Sequence, residues 1–440
     1  MKINRPIRIL SLISAAALFC GSQAFATNGM IPHGIGAKNK AMAGAGVAIV
    51  QDAISVATNP ASGTWVDNRL EAGFAIFSPF REATDHNPTT GALGGFVAPG
   101  TYESDSNAFP VPYLARNWKL NNKSAFTLAV YAAGGMNTDY PNAPWNGTGG
   151  AFPSGIDLKQ LIIAPTYSWK VNQKTSFGVA ALVGMQWFEA RGLNTFAGVT
   201  TTGNAGNLYG NGHDFAYGLG IQLGVQHKVS STLSFGASFK SEVNMTEFDK
   251  YAGLFAEAGD LDMPASITIG MAWKPSPKSV LAIDVQHIFY SKVPSIANSI
   301  TNFTQCDAPP AAGGFGGPDN NSCFGGGNGP GFAWDDMTIL KIGYQWETSP
   351  TMTWRVGVSH GSNPVKETTL STLAPGVVET HLTFGFTKKT DKTSELTLAV
   401  MYAPETSVRK TSALSGFGIN DEVELSMHQF EIELAWSKRF

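Results

Sequence analysis

Apolar and polar residues alternate along this chain with a period of two, in stretch after stretch. From Phe215 to Gln226 one face reads Phe215, Tyr217, Leu219, Ile221, Leu223 and Val225. The other reads Ala216, Gly218, Gly220, Gln222, Gly224 and Gln226. Alternation over this length marks a strand whose two faces meet different surroundings. The pattern returns from Phe177 to Trp187, Ile267 to Trp273, Met352 to Val358, Leu382 to Phe386 and Leu396 to Tyr402. The predicted fold class is all-β.

The spacers between these strands alternate in length. Short polar turns fall at Asn121-Asn122-Lys123, Asn172-Gln173-Lys174, Ser230-Ser231, Pro275-Ser276-Pro277, Thr348-Ser349-Pro350 and Thr390-Asp391-Lys392. Long Gly-, Asn- and Pro-rich loops lie near 82–107, 134–156, 192–212, 247–264, 291–334, 362–378 and 404–421. Six turns and seven loops join fourteen strands. Short turns on one side and long loops on the other predict a 14-stranded antiparallel transmembrane β-barrel. Trp118, Trp169, Trp187, Trp273, Tyr344, Trp346 and Trp436 sit toward strand ends, as interfacial girdles would; ordinary sheet packing also draws aromatics. The last strand alternates through Phe430, Ile432, Leu434 and Trp436 and stops at Phe440. That ending resembles the signal read by the barrel-assembly machinery, although Lys438 departs from it. A soluble β-sandwich alternates in the same way, but it would expose sheet edges and a charged outer face.

Composition agrees with the barrel. Charged residues make up 14% of the chain and hydrophobic residues 43%, against about 25% charged in soluble domains. Lipid meets only alternate residues of a spanning strand, so hydropathy stays near neutral. The net charge of −3 and the lack of a basic patch exclude nucleic acid as a partner. Lys2, Arg5 and Arg8, an apolar run from Ile9 to Phe19, and Ala24-Phe25-Ala26 read as a signal peptide over residues 1–26. Export and a barrel together place the protein in the bacterial outer membrane, against lipid and lipopolysaccharide, with the barrel complete as a monomer and occupying residues 67–440.

Residues 27–66 do not alternate. They are rich in Gly and Ala and poor in charge. Fourteen strands enclose more room than their own side chains fill, so this segment is expected in the lumen as a plug. A flexible periplasmic tail is the alternative, which the scarcity of charge disfavours. Cys306 and Cys323 flank part of a Gly- and Asn-rich loop, and an oxidising compartment favours a disulfide there. No further Cys or His stands near them for a metal site. The eight histidines are scattered, and His213, His227, His287 and His428 lie in or beside strands. No Gly-x-Ser-x-Gly is present, and the Gly313–Gly331 stretch lacks the strand and helix of a phosphate loop. Neither an enzyme nor a cofactor is expected.

The segment ahead of the barrel resembles a known family, the long-chain fatty-acid outer-membrane transporters (the FadL family) with its aromatic-hydrocarbon branch. The residues that carry the likeness are Asn28-Gly29, His33-Gly34, Lys38, Ala41-Met42-Ala43-Gly44-Ala45-Gly46, Gln51-Asp52-Ala53 and Asn59-Pro60-Ala61. Lys240-Ser241-Glu242-Val243 and Trp334-Asp335-Asp336-Met337 extend it. The resemblance implies an N-terminal luminal hatch, with Asn59, Pro60 and Ala61 as the hatch motif and Asn28, Gly29, Met30 and His33 in the lumen. It also implies an inward kink in the third strand that opens the wall for lateral exit. Tyr131, Ala132, Gly134 and Gly135 are the positions expected for that kink, since glycines near a strand end suit broken pairing; an ordinary strand-to-loop transition is the alternative.

Several strands are apolar on both faces, as Leu158, Ile162 and Ala164 opposite Leu161 and Ile163 show. Apolar surface therefore faces inward as well as outward, and a hydrophobic small molecule is the expected substrate, bound at about 25 cal/mol per Å² of buried area. A fatty acid would also need a cation; Lys240, Lys341 and Arg355 are the headgroup-anchor candidates. Asp335 and Asp336 stand where the fatty-acid branch carries a basic residue, which favours an uncharged hydrocarbon. A general porin and a surface-interaction barrel using the long loops remain as alternatives.

Overall fold

The computed structural model describes residues 28–87, 97–142, 144, 153–201, 204–309 and 314–440. The expected signal peptide lies outside the described residues. Fourteen strands run up and down in sequence order: β1 (Arg69–Asp85), β2 (Phe109–Lys119), β3 (Ser124–Asn137), β4 (Gly155–Lys170), β5 (Thr175–Arg191), β6 (Asp214–Lys228), β7 (Leu233–Lys240), β8 (Ser266–Ser276), β9 (Ser279–Ile288), β10 (Met337–Ser349), β11 (Met352–Gly361), β12 (Thr380–Lys389), β13 (Ser394–Thr411) and β14 (Glu422–Arg439). Each pairs antiparallel with its neighbours, and β14 returns to β1 in register from Arg439–Arg69 to Val423–Asp85. The sheet closes on itself, as a membrane-spanning sheet must. Two short strands, Gly100–Glu103 and Asn244–Met245, add to β1 and β6 near the long-loop end.

The alternation read from the sequence is the inside–outside pattern of the wall. On β6, Phe215, Tyr217, Leu219, Ile221 and Leu223 point outward, with Leu219 67% exposed. Their intervening partners Ala216, Gly218, Gln222, Gly224 and Gln226 are buried inside. Leu434 on β14 and Ile269 on β8 are likewise among the most exposed apolar residues. A contiguous apolar belt of this kind is a lipid contact.

Three features differ from the sequence expectation. First, β1, β13 and β14 extend past the apolar belt, so the loop expected at 404–421 shrinks to 412–421. Arg409 reaches Glu422 through two hydrogen bonds of 2.8 and 3.0 Å, and His86 meets Glu424 at 2.7 Å. Pairing continues there on polar side chains, so no hydropathy contrast reports it. Second, the tryptophans are uneven: Trp118, Trp169, Trp273, Trp346 and Trp436 all lie toward the short-turn end, and Trp187 alone of those named lies toward the other. Third, β3 runs on to Asn137 rather than ending at Ala133.

The long 289–336 loop folds over the outer mouth. Cys306 and Cys323 form a disulfide in it, so neither sulfur is free for a metal. Phe324 packs on Phe196 at 4.9 Å between ring centres, and a bridge joins Thr200 to Phe324. Breaking the disulfide with Cys306→Ser should loosen this loop by about 3 kcal/mol. Chymotrypsin should then cut near Phe303 or Phe324, while the barrel keeps the unfolding temperature of the parent on heat-modifiability gels.

Candidate functional site

Residues 28–66 run through the inside of the barrel, touching inward-facing residues all round the ring. The wall admits them because it is lined with small residues. A Cβ on Gly178 of β5 would sit 2.1 Å from the Pro60 carbonyl carbon, and one on Gly224 of β6 would sit 2.1 Å from the Asn59 side chain. The Asn59 amide nitrogen donates to the carbonyls of Val47 (2.8 Å) and Val225 (3.0 Å), and its oxygen accepts from Ala61 N–H (3.0 Å). Ser168 donates to the Pro60 carbonyl at 2.6 Å and Ser176 to that of Ala61 at 3.0 Å. Asn59, Pro60 and Ala61 thus join the segment to β4, β5 and β6. Asn59 also caps the short helical turn Pro60–Trp65, and proline at its first position fits that role.

Charge fixes the other side of the segment. Lys38 pairs with Glu395 of β13 at 2.5 Å, and Arg69 shares that carboxylate at 2.8 Å. Lys40 lies between Glu431 and Glu433 of β14, 2.7 Å from the latter. Burial works against the Lys40 ammonium, but the two carboxylates outweigh it and hold its pKa above the usual lysine range. Asp284 of β9 accepts the backbone N–H groups of Gly46 (2.7 Å) and Val47 (2.8 Å). Sequence reading did not link these acids to the segment. Their one visible signal is that Glu431, Glu433 and Asp284 occupy inward positions of strands whose other face is apolar.

At the outer end, Met30 N–H donates to the Tyr290 hydroxyl at 3.1 Å, and that hydroxyl donates to the Asn28 carbonyl. Gly29 lies beneath Tyr290 and Trp334. Asn28, Gly29 and Met30 therefore sit under the loop cap. His33 stacks on His381 at 5.5 Å. Burial, together with His381, Lys40 and Lys341, pushes its pKa well below the usual histidine range.

Next to this part of the segment is a cavity of about 70 Å³. Its apolar side is Ile31, Pro32, Ile35, Ala57 and Tyr131; its polar side includes Gln222, Gln286, Lys240 and Lys341. Lys341 donates to the His33 carbonyl at 2.9 Å. The Lys240 ammonium has no hydrogen-bond or ion-pair partner among the described residues. Arg355 lies apart from this cavity; it bonds Gln345 at 2.9 Å and Thr387 at 2.7 Å. Of the three cations singled out in the sequence, two meet and one does not. Gln222 and Gln286 were not foreseen; a lone inward glutamine carries no pattern.

The wall is interrupted beside the cavity. β2 pairs with β1 as far as Phe109–Phe77, but with β3 only as far as Tyr113–Tyr131. Pro110 and Pro112 of β2 have no N–H to offer a second neighbour. Beyond Tyr131 the strand β3 turns inward: Ala132 to Asn137 are all buried, and its register with β4 shifts between Ala132 and Gly134. Gly135 N–H donates to the Met30 carbonyl at 3.1 Å, and a Cβ on Gly134 would lie 2.5 Å from that same oxygen. A second, narrow cavity of about 10 Å³ occupies the gap, between Val111 and Pro112 of β2, Tyr131 and Ala132 of β3, and the segment at Pro32, Gly34 and Ile35.

Lys40→Met leaves Glu431 and Glu433 buried without a cation. Removing one partner of a buried pair costs about 3–5 kcal/mol, so residues 28–66 should lose protection from protease while the barrel stays folded. The triple change Lys40→Met/Glu431→Gln/Glu433→Gln should recover most of that protection.

The comparisons with known proteins agree with this architecture. Residues 14–431 match the family described as outer membrane protein transport protein (OMPP1/FadL/TodX). Among curated protein sequences there is no match. Among solved structures, the Pseudomonas putida toluene transporter TodX aligns with a TM-score of 0.63 at 18% identity, over 93% of this chain and 99% of its own. A Pseudomonas aeruginosa FadL homologue aligns with a TM-score of 0.65 at 14% identity, over 94% of this chain and 100% of its own. The Ralstonia pickettii toluene transporter TbuX aligns with a TM-score of 0.60 at 17% identity, over 93% and 99%. The family match spans nearly the whole sequence and the fold is shared from end to end: the chain belongs to the OMPP1/FadL/TodX family of outer-membrane transport proteins.

Proposed function

We propose that this barrel passes hydrophobic small molecules from the cell exterior into the outer membrane, through the luminal cavity and out sideways between β2 and β3. One observation carries the reading: the luminal cavity and the wall gap share Pro32, Gly34, Ile35 and Tyr131. These four residues line both spaces. Residues 28–66 then act as a hatch and residues 67–440 as the channel wall, with Asn59-Pro60-Ala61 as the hatch's fixed end and Tyr131, Ala132, Gly134 and Gly135 as the lateral gate. The filled lumen argues against a general porin, which needs an open aqueous path. The outward apolar belt supports contact with outer-membrane lipid and lipopolysaccharide, and the closed sheet supports a working monomer.

The substrate best supported is an amphiphile with a carboxylate head, such as a long-chain fatty acid. An ammonium without a partner is costly to bury, and Lys240 gains a charge-assisted bond when an anion enters. Asp335 and Asp336 do not line the cavity and so do not favour an uncharged hydrocarbon there. Asp335 pairs with Lys366 at 2.5 Å, and Asp336 accepts from Ser291 N–H at 2.8 Å, both in the outer loops and away from the cavity. A neutral aromatic hydrocarbon is the second reading, favoured by the two toluene transporters among the similar structures.

Uptake of labelled oleate and labelled toluene, measured side by side in cells without their own transporter, separates the two. On the first reading oleate enters, and Lys240→Ala lowers its uptake about tenfold without affecting any toluene entry. Toluene entry alone, unchanged in that variant, would establish the second. In a Pro112→Cys/Ala132→Cys variant, a short bifunctional thiol cross-linker should stop uptake at normal surface abundance. Full uptake through the bridged gap would exclude the lateral route.

A further inference from the structure

The strands that run toward the short-turn end finish in a regular way. The last inward-facing residue of β2 is Lys119, of β4 Lys170, of β6 Lys228, of β12 Lys389 and of β14 Arg439; at the register shift near the end of β8 stands Lys274, and β10 alone breaks the series, with Glu347 at its own shift. Each follows by two an inward residue that is buried: Asn117, Ser168, Gln226, Ala272, Thr387 and Ser437. Alternation therefore aims the side chains of the regular strand ends into the mouth of the lumen on the periplasmic side, and Lys274 and Glu347 line the same mouth.

On one side this collar surrounds a vestibule of about 370 Å³. Ile49, Val50 and Trp65 of the N-terminal segment and Val280 supply apolar surface; Lys228, Lys274, Lys278 and His227 supply positive or protonatable groups, and Glu347 is the acid among them. The ammonium groups of Lys170 and Lys228 lie 3.9 and 3.6 Å from the centre of the Trp65 ring. Each gains from the indole face, but two cations on one ring repel each other. Among the described residues no carboxylate pairs with Lys170, Lys228, Lys274 or Lys278, whereas Lys119 has Asp67 at 3.7 Å and Lys389 donates to the Pro350 carbonyl.

We infer that this vestibule is a second binding site, specific for an amphiphilic organic anion, with the head between Lys228 and Lys274 and the apolar part against Trp65, Ile49 and Val50. Converging cations in a walled mouth focus positive potential on whatever enters, and the apolar floor selects an anion with a hydrocarbon part over a bare inorganic one. Because the cations face the lumen, bilayer headgroups outside the wall do not reach them; the occupant comes from solution on the periplasmic side or from the lumen above. The inference goes beyond lateral exit and does not depend on it. The vestibule shares no lining residue with the cavity at Lys240, so either can fail alone.

Trp65 reports directly on occupancy. Full-length protein in nanodiscs of zwitterionic lipid would be titrated with ω-bromoundecanoate and, separately, with ω-bromoundecanol, whose bromine quenches indole fluorescence on contact. The signal of the site is the quenching present in the parent and absent in Trp65→Phe. The carboxylate should produce it and the alcohol should not, and Lys228→Ala/Lys274→Ala should weaken it about tenfold or more. Lys228→Arg/Lys274→Arg, which keeps both charges, should retain it. Equal quenching by acid and alcohol would reduce the vestibule to an apolar hollow and overturn the inference. Quenching by the acid that persists in the alanine pair would overturn it as well, provided both variants keep the heat-modifiability of the parent.

Discussion

Inside a bilayer no water is present to satisfy a stray peptide group, so each N–H and C=O of the wall must find its partner within the protein. That constraint closes the sheet at β1–β14 and makes the parting of β2 from β3 costly. The chain meets the cost from two directions. Pro110 and Pro112 remove donors on one lip of the gap. On the other lip the strand turns inward, and the Met30 carbonyl accepts the Gly135 N–H. The N-terminal segment thus supplies part of the hydrogen bonding that β2 gives up.

The same segment explains the inner face of the barrel. Where it runs close, the wall carries glycine, serine or threonine, which shortens the approach and offers hydroxyls to its carbonyls. Where it carries lysine, the wall carries glutamate. Buried pairs of this sort add little net stability but make any other placement expensive. They act as registration pins, holding Pro32 to Ile35 against Tyr131, where the two cavities meet.

How much of this was legible in the sequence depends on the range of the interaction. Alternation is local, so the strands, their number and the unequal spacers could be read directly. The polar tops of β1, β13 and β14 could not, because a ribbon wet on both faces has no hydropathy contrast. Gly134-Gly135 hinted at the kink, but the stronger cue lay across the gap in the two prolines of β2, whose meaning depends on knowing which strand faces them. The pairing of Lys40 with Glu431 and Glu433 joins positions nearly four hundred residues apart and leaves no periodic trace. Lys240 and Lys341 were visible as inward cations; that they share a cavity while Arg355 does not follows from where the segment runs.

Those long-range pairs also bear on the order of assembly. Lys38 and Lys40 precede β1, yet their acids lie on β13 and β14, the last strands to be made. Contacts of such high sequence separation form late, after the loop entropy between them has been spent. Residues 28–66 thus emerge first and finish packing last. Until the seam strands arrive, Lys40 lacks both of its carboxylates and Lys38 has only Asp52 of its own segment, so the step that closes the barrel is also the step that seats its contents.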